Sequence, residues 1–257
     1  MTIYLEKTAR AAQPLPMTDA EWQARVQLAA CYRIFDMFGW VEQIFNHITV
    51  RVPGSELRFL INPFGLHYRE ITASNLLLID TEGNSLRPSQ WPVNRAGFVI
   101  HSAIHGAIPM AHCVMHTHTT TGMAVACLKE GLSPHNFYGA MLQGRLAYHD
   151  FEGITVDEDE RERLVRDIGD KPAVILRNHG LLAWGPSVSE AFQMMWTLQR
   201  ACDVQIAASA AGAINPIRPE VFAQTVRESS VADKRTCDDV FAAMVRQLDL
   251  RDTSWRS

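Results

Sequence analysis

The sequence predicts one α/β domain, a central mixed sheet covered by helices. Three observations carry that expectation. Apolar runs of strand length alternate along the chain with helical periodicities. No repeat, low-complexity linker or shift of composition marks a boundary. The 257 residues, 47% hydrophobic and 20% charged, are enough for one substantial core. The expected organisation is a loose arm over 1–17, ending in Pro14 and Pro16, followed by a single domain over 18–257 with helices at its C-terminal end.

Taken in order, Thr18-Asp19-Ala20-Glu21 has the spacing of a capping box, and Val26, Leu28, Ala29, Ile34, Phe35 and Phe38 follow at helical period. Gly39 suits the C-terminal stop of that first helix. The run 44–51 alternates apolar and polar, Pro53-Gly54-Ser55 turns it, and Leu57–Ile61 returns, which predicts a hairpin. Asn62-Pro63-Phe64-Gly65 is a loop, Leu76–Asp80 a strand, and Glu82-Gly83-Asn84 a turn. A crossing helix over Ala96–Ile108 leads into the strand that ends at His116, and Thr119–Lys129 is the next helix. Leu132–Gly144, with His135 and Tyr138, is the longest irregular stretch. Arg145–Tyr148 is a short strand, and Asp157–Ile168 an amphipathic helix with acid at its start, where the helix dipole favours it. Strands over 172–177 and 181–184 flank a turn, and Ser187–Ala211 is a long helix whose apolar Phe192, Met195 and Leu198 read as core or subunit interface. Helices over 219–228 and 232–249 complete the chain.

Composition excludes several classes of function. A net charge of −4 gives no electrostatic reason to expect nucleic acid or an acidic membrane surface as partner. No apolar run approaches the roughly 18 residues of a membrane span. The stretch Met1–Gln13 has no apolar core of the secretory kind. The five cysteines are widely spaced and odd in number, as expected of reduced core thiols in a cytoplasmic protein.

The chemistry gathers on Cys113-Val114-Met115-His116-Thr117-His118 and Arg177-Asn178-His179-Gly180. Side chains two apart on a strand share a face, so His116 and His118 can enter one cleft together. The turn after the second β-type run, Ala173–Arg177, can bring His179 to the same sheet edge. Three neutral imidazoles with a free fourth position make the open site of a catalytic Zn²⁺ or a related divalent ion. The alternative is a set of polar strand-end histidines with no ligand in common.

Over about residues 25–212 these elements, in this order, resemble the class II aldolase/adducin family. The resemblance rests on the first helix, Asn46-His47-Ile48-Thr49-Val50-Arg51, Asn62-Pro63-Phe64-Gly65, Ile79-Asp80-Thr81-Glu82-Gly83-Asn84, His101-Ser102-Ala103-Ile104-His105, His116-Thr117-His118 and Asn178-His179-Gly180. The runs Ile61–Tyr68 and Asn94–Phe98 are closer to the adducin-type branch than to the sugar-phosphate aldolases. The resemblance implies a three-layer α/β/α fold with a largely antiparallel sheet and a homotetramer. It also implies a Zn²⁺ or Mn²⁺ on His116, His118 and His179.

Departures from the aldolase pattern are equally informative. Where those enzymes carry Pro-Ser-Ser-Glu, this chain has Asn94, Arg95, Ala96 and Gly97. Gly97 thus stands in place of the acid/base glutamate, and Phe64 in place of a hydroxyl residue beside the retained Gly65. Asn46 is also retained. Candidates for the missing proton carrier are His101, alternatively a satisfied buried histidine, and Glu152 after the expected strand at 145–148, alternatively a loop-surface carboxylate. Asn46, His47, Gly65 and Arg95 are candidates for substrate contact, and Arg95 would suit a carboxylate.

Two readings follow. One is a cytoplasmic metal-dependent lyase that catalyses aldol cleavage or decarboxylation of a small hydroxy- or keto-acid through a metal-stabilised enediolate. The other is an adducin-like binding module that keeps the fold without the catalysis. Neither a nucleic-acid nor a membrane partner is expected, and with no long basic tail a cytoskeletal partner is not favoured.

Overall fold

The computed structural model describes residues 16–54, 57–153, 158–229 and 233–257, apart from the side chains at 95, 96, 158 and 159. The expected arm lies almost wholly outside those residues. Helix α1 (Asp19–Phe38) begins where Thr18 accepts a hydrogen bond from the Glu21 amide, and it ends on Gly39 in the left-handed conformation. A cap of the first kind contributes about 1 kcal/mol. The reciprocal half of the capping box does not form, because Glu21 turns inward instead. Its carboxylate takes Arg25 Nε at 2.8 Å and both terminal nitrogens of Arg87. Glu21 and Arg25 are both buried, and Arg25 also donates to the carbonyls of Ala73 and Leu76. Glu21→Ala would strand a buried guanidinium, at a cost of about 3–5 kcal/mol for breaking a buried pair. The two carbonyl partners put the expected loss near about 3 kcal/mol, to be read as a shift in urea midpoint at constant slope.

Seven strands among the described residues form one sheet in the order β3-β2-β1-β4-β7-β6-β5. They are β1 (Ile48–Arg51), β2 (Phe59–Ile61), β3 (Leu77–Ile79), β4 (Cys113–Thr117), β5 (Leu146–His149), β6 (Ala173–Leu176) and β7 (Gly180–Gly185). Every neighbouring pair is antiparallel except β5 and β6. That parallel pair needs a crossover, and α5 (Glu158–Ile168) supplies it. The remaining helices are α2 (Arg95–Ala107), α3 (Thr120–Ala126), α4 (Phe137–Met141), α6 (Val188–Ala211), α7 (Pro219–Glu228) and α8 (Lys234–Asp249).

The period-2 alternation of the strands divides the core in two. Cys113, Met115, Ala173, Ile175, Leu181 and Ala183 pack with α1, α6 and α8. Val114, Val174, Leu176, Leu182 and Trp184 pack with Ile100 and Ile104 of α2 and Leu164 and Ile168 of α5. The fold is therefore the expected three-layer α/β/α sandwich over a mixed, mostly antiparallel sheet. His116 follows the even-numbered side chains of β4, so it belongs to the α2/α5 face.

Two local expectations are corrected. The first strand starts at Ile48, not at 44, because the ladder with β4 stops at the Ile48–Met115 pair. Residues 44–47 leave the sheet, and the Phe45 amide closes a turn on the Glu42 carbonyl at 2.9 Å. The stretch 132–144 is not wholly irregular. It holds the short α4, capped by Asn136 on the Gly139 amide, and five residues are too few to show a helical period. At the turn of the first hairpin, Ser55 lies outside the described residues. Among the described residues, no helix is long and apolar enough to cross a membrane.

Candidate metal centre

His116 ends β4 with its ring on the α2/α5 face, and His118 follows two residues later with its imidazole on the same side. α3 fixes this segment from its far side. Thr119 caps α3 and donates to Gln199 Oε1 at 2.6 Å, while Gln199 Nε2 donates to Thr121 and Asp203. His179 arrives on the three-residue loop between β6 and β7, whose Asn178 takes a left-handed φ of 56°. Asparagine tolerates that conformation better than most residues. The Asn178 amide is anchored on the Ala126 carbonyl at 3.0 Å. Gly180 then permits the close approach. A Cβ there would stand 2.4 Å from the Thr117 carbonyl oxygen and 3.0 Å from the His118 ring.

One ring nitrogen from each of His116, His118 and His179 lies within 4.8 Å of the others. The ring centroids are 4.5–4.9 Å apart, and His116 Nε2 is 2.7 Å from His118 Nε2. His116 Nδ1 donates to the Leu181 carbonyl at 2.9 Å, which fixes its tautomer and leaves the Nε2 lone pair for the cluster. Burial pushes all three rings below the ordinary histidine range, and the neighbouring imidazoles add to this at His116 and His179, which is brought to about 4. Neutral nitrogen donors converging from three points fit a divalent ion.

A second chain of imidazoles lies under the first. His105 Nδ1 is 2.6 Å from the Ala111 carbonyl, an acceptor only, so that nitrogen carries the proton. Burial holds His105 neutral by pushing it down to about 3, so its Nε2 must accept from the Thr49 hydroxyl at 2.8 Å. With its proton so committed, Thr49 Oγ1 accepts from His101 Nδ1 at 2.7 Å. His101 is likewise kept neutral by burial, so its Nε2 is a bare lone pair, and no hydrogen-bond partner meets it among the described residues. The His47 ring packs against it at 4.1 Å between centroids, and 6.1 Å from His116. His47 is itself buried, and burial brings it to about 4 against the opposing dipoles of the Gly97 and Phe45 backbone.

His47, His116, His118 and His179 all line one cleft of about 560 Å³. The sequence profile described as the Class II Aldolase and Adducin N-terminal domain matches residues 26–206, across this whole arrangement. The chain belongs to that family.

Relatives of both kinds exist. A Pseudomonas aeruginosa protein named "Putative aldolase class 2 protein PA3430" is 49% identical over 194 residues, 76% of this chain and 74% of its own. Rat alpha-adducin is 44% identical over 211 residues, 80% of this chain but 29% of the adducin. Among solved structures, an aldolase II superfamily protein from Pseudomonas syringae superimposes with a TM-score of 0.91 at 43% identity, covering 94% of this chain and 98% of the other. An L-fuculose 1-phosphate aldolase from Glaciozyma antarctica gives a TM-score of 0.81 at 30% identity, covering 95% and 97%.

Within the class II aldolase/adducin fold, the other residues singled out from sequence separate clearly. His101 lies beneath the cleft, joined to it through His47. Glu152 is held by Arg163 on α5 in a two-pronged ion pair, with Nε at 2.8 and 3.0 Å, and that contact keeps its carboxyl below the usual range. Glu152 is not among the lining residues of the cleft. Gly65 lies against Trp91, whose ring a Cβ would meet at 3.2 Å. Arg95 opens α2, and its side chain is outside the described residues. Asn46 is buried, neither of its amide atoms meets a hydrogen-bond partner among the described residues, and it is not among the lining residues of the cleft. Gly97 is informative. A Cβ at this position would lie 2.4 Å from His47 Cε1, so the absent side chain is what leaves space for that ring.

Sequence reasoning missed Thr49, and missed Phe45, Met123 and Phe151 on the cleft wall. The signal for Thr49 was present. It is two residues from His47, and His101 and His105 are one helical turn apart.

Proposed function

We propose that this chain is a metal-dependent lyase that cleaves a carbon–carbon bond, by aldol cleavage or decarboxylation, in a small hydroxy- or keto-acid or related carbonyl compound. The observation that carries the reading is the convergence of His116, His118 and His179 at a cleft, with the His116 tautomer preset by the Leu181 carbonyl. The nitrogen donor set with one open position suits Zn²⁺, with Mn²⁺ as the alternative. Such an ion, when bound, polarises a substrate oxygen and stabilises the negative charge left by the departing carbon fragment.

The rest of the chemistry falls to the chain. Aldol cleavage gives up the substrate hydroxyl proton, and His47 is the lining group that can take it and return it to the carbanion. In decarboxylation the carbanion takes its proton from water, which His47 can relay. Its ring takes the space freed at Gly97, so an imidazole replaces the carboxylate that the aldolase pattern has there. The unprotonated Nε2 of His101, oriented through Thr49 and His105, lies behind the His47 ring. Decarboxylation is favoured over aldol cleavage because it removes no proton from the substrate. We place the protein in the cytoplasm as a homotetramer.

The test incubates protein loaded with Zn²⁺ or Mn²⁺ with a panel of 2-hydroxy-, 3-hydroxy- and 2-keto-acids, and follows carbon–carbon cleavage by NMR. Chelator-sensitive cleavage is expected. His47→Ala should lower kcat by about 10²–10⁴-fold, the usual worth of a general acid or base, with metal content unchanged. A loaded protein that cleaves none of them would favour the second reading, a non-catalytic adducin-like binding module.

A further inference from the structure

The mouth of the cleft has a chemistry of its own. Three of its lining side chains, Phe45, Met123 and Phe151, are large and apolar and yet stand 50%, 36% and 51% exposed. They are firmly backed. Phe45 packs on Phe64 with centroids 6.2 Å apart, and its carbonyl receives Asn94 Nδ2 at 3.3 Å. Phe151 meets the His179 ring edge-on at 6.2 Å. Histidines aside, the one ionisable side chain on the described lining is Glu42, and no lysine or arginine is among those residues. Arg177, on the same loop as His179, is engaged elsewhere. It lies over the Tyr148 ring at 4.5 Å and donates to the carbonyls of Leu128 and Lys129.

The geometry points to a substrate with two unlike ends: an oxygen-chelating head for the histidine cluster, and an uncharged, aromatic or branched apolar tail lying between Phe45 and Phe151. This rests on the metal reading above and goes further, since it names what the rest of the substrate must be. A phosphate or carboxylate tail would face the Glu42 carboxylate, and Arg177 is turned away from it. An apolar tail would cover exposed aromatic surface that a preformed site otherwise leaves in water.

Three hydroxamates share one chelating head and separate the two ideas: acetohydroxamate, phenylacetohydroxamate and phosphonoacetohydroxamate. Binding to the Zn²⁺-loaded full chain is measured by calorimetry. Phenylacetohydroxamate should bind about 10- to 100-fold more tightly than acetohydroxamate, the range expected for burying one aromatic ring. Phosphonoacetohydroxamate should gain nothing. In the Phe45→Ala/Phe151→Ala double variant the ratio of phenylacetohydroxamate to acetohydroxamate affinity should fall to within about threefold, the ratio cancelling any change at the shared chelating head. Equal affinity of phenylacetohydroxamate and acetohydroxamate would overturn the inference, as when side chains of a second copy already occupy the rim. So would a preference for the phosphonate. Failure of acetohydroxamate itself to bind would instead remove the metal reading, and this inference with it.

Discussion

His116→Ala is expected to leave the protein folded and unable to retain a divalent ion. Protein purified without a nickel column should carry close to one equivalent of metal per chain, and the variant almost none. The physical reason is the number of donors. Removing an outer hydrogen-bond partner of a metal ligand typically costs about 10–100-fold in affinity, and losing a ligand outright should cost more than about 100-fold. His116 is also the ring whose tautomer is set by the Leu181 carbonyl and whose Nε2 stands 2.7 Å from that of His118. Elemental analysis reads the stoichiometry. Thermal unfolding supplies a second readout, since metal at 100 times its dissociation constant should add about 2.7 kcal/mol to the parent and nothing to the variant. A metal-free parent protein, or a variant that keeps its metal, would remove the basis of the proposed function.

Metal-stripped protein should lose stability steeply in mild acid. His47, His101, His105 and His116 are all buried, and burial lowers each of them below the ordinary value of 6.5, His47 to about 4 and His105 to about 3. In the unfolded chain the same rings take up protons near 6.5. The native state therefore binds fewer protons than the unfolded one between about pH 6.5 and 4, and stability is lost as pH falls through that window. Each such group contributes about 1.4 kcal/mol per pH unit, so four set a limit of about 5. Against a total of about 5 kcal/mol or more, that limiting slope per pH unit, beginning near pH 6.5, centres unfolding at about pH 5.5 or below. Urea titrations at pH 7.5, 6 and 5 measure it, and bound metal should move the midpoint to lower pH by competing with protons. Equal urea midpoints at pH 7.5 and 5 would show that these rings are not held neutral.

Much of the site was legible because its signals are local. His116 and His118 had to share a face wherever Cys113–Thr117 became a strand, and His179 had to sit at the bend between two apolar runs. The α/β class, the crossing helix and the long α6 followed from periodicity in the same way. The short α4, the early end of the ladder at Ile48 and the inward turn of Glu21 did not, because each is decided by a partner distant in sequence: the packing against α6, the extent of the β4 ladder, and Arg87, respectively.

The amino-acid sequence by itself determined the layers, the family and the identity of the three imidazoles, since periodicity and motif spacing are properties of neighbouring residues. Only the tertiary structure decided what occupies the space left open at Gly97. A glycine at 97 is silent as a letter, and it acquires meaning when the fold lays the His47 ring where its Cβ would be and joins Thr49, His101 and His105 into one directed chain of hydrogen bonds. Tautomers are set by which acceptor a ring meets in space, and that contact joins residues tens of positions apart in the chain.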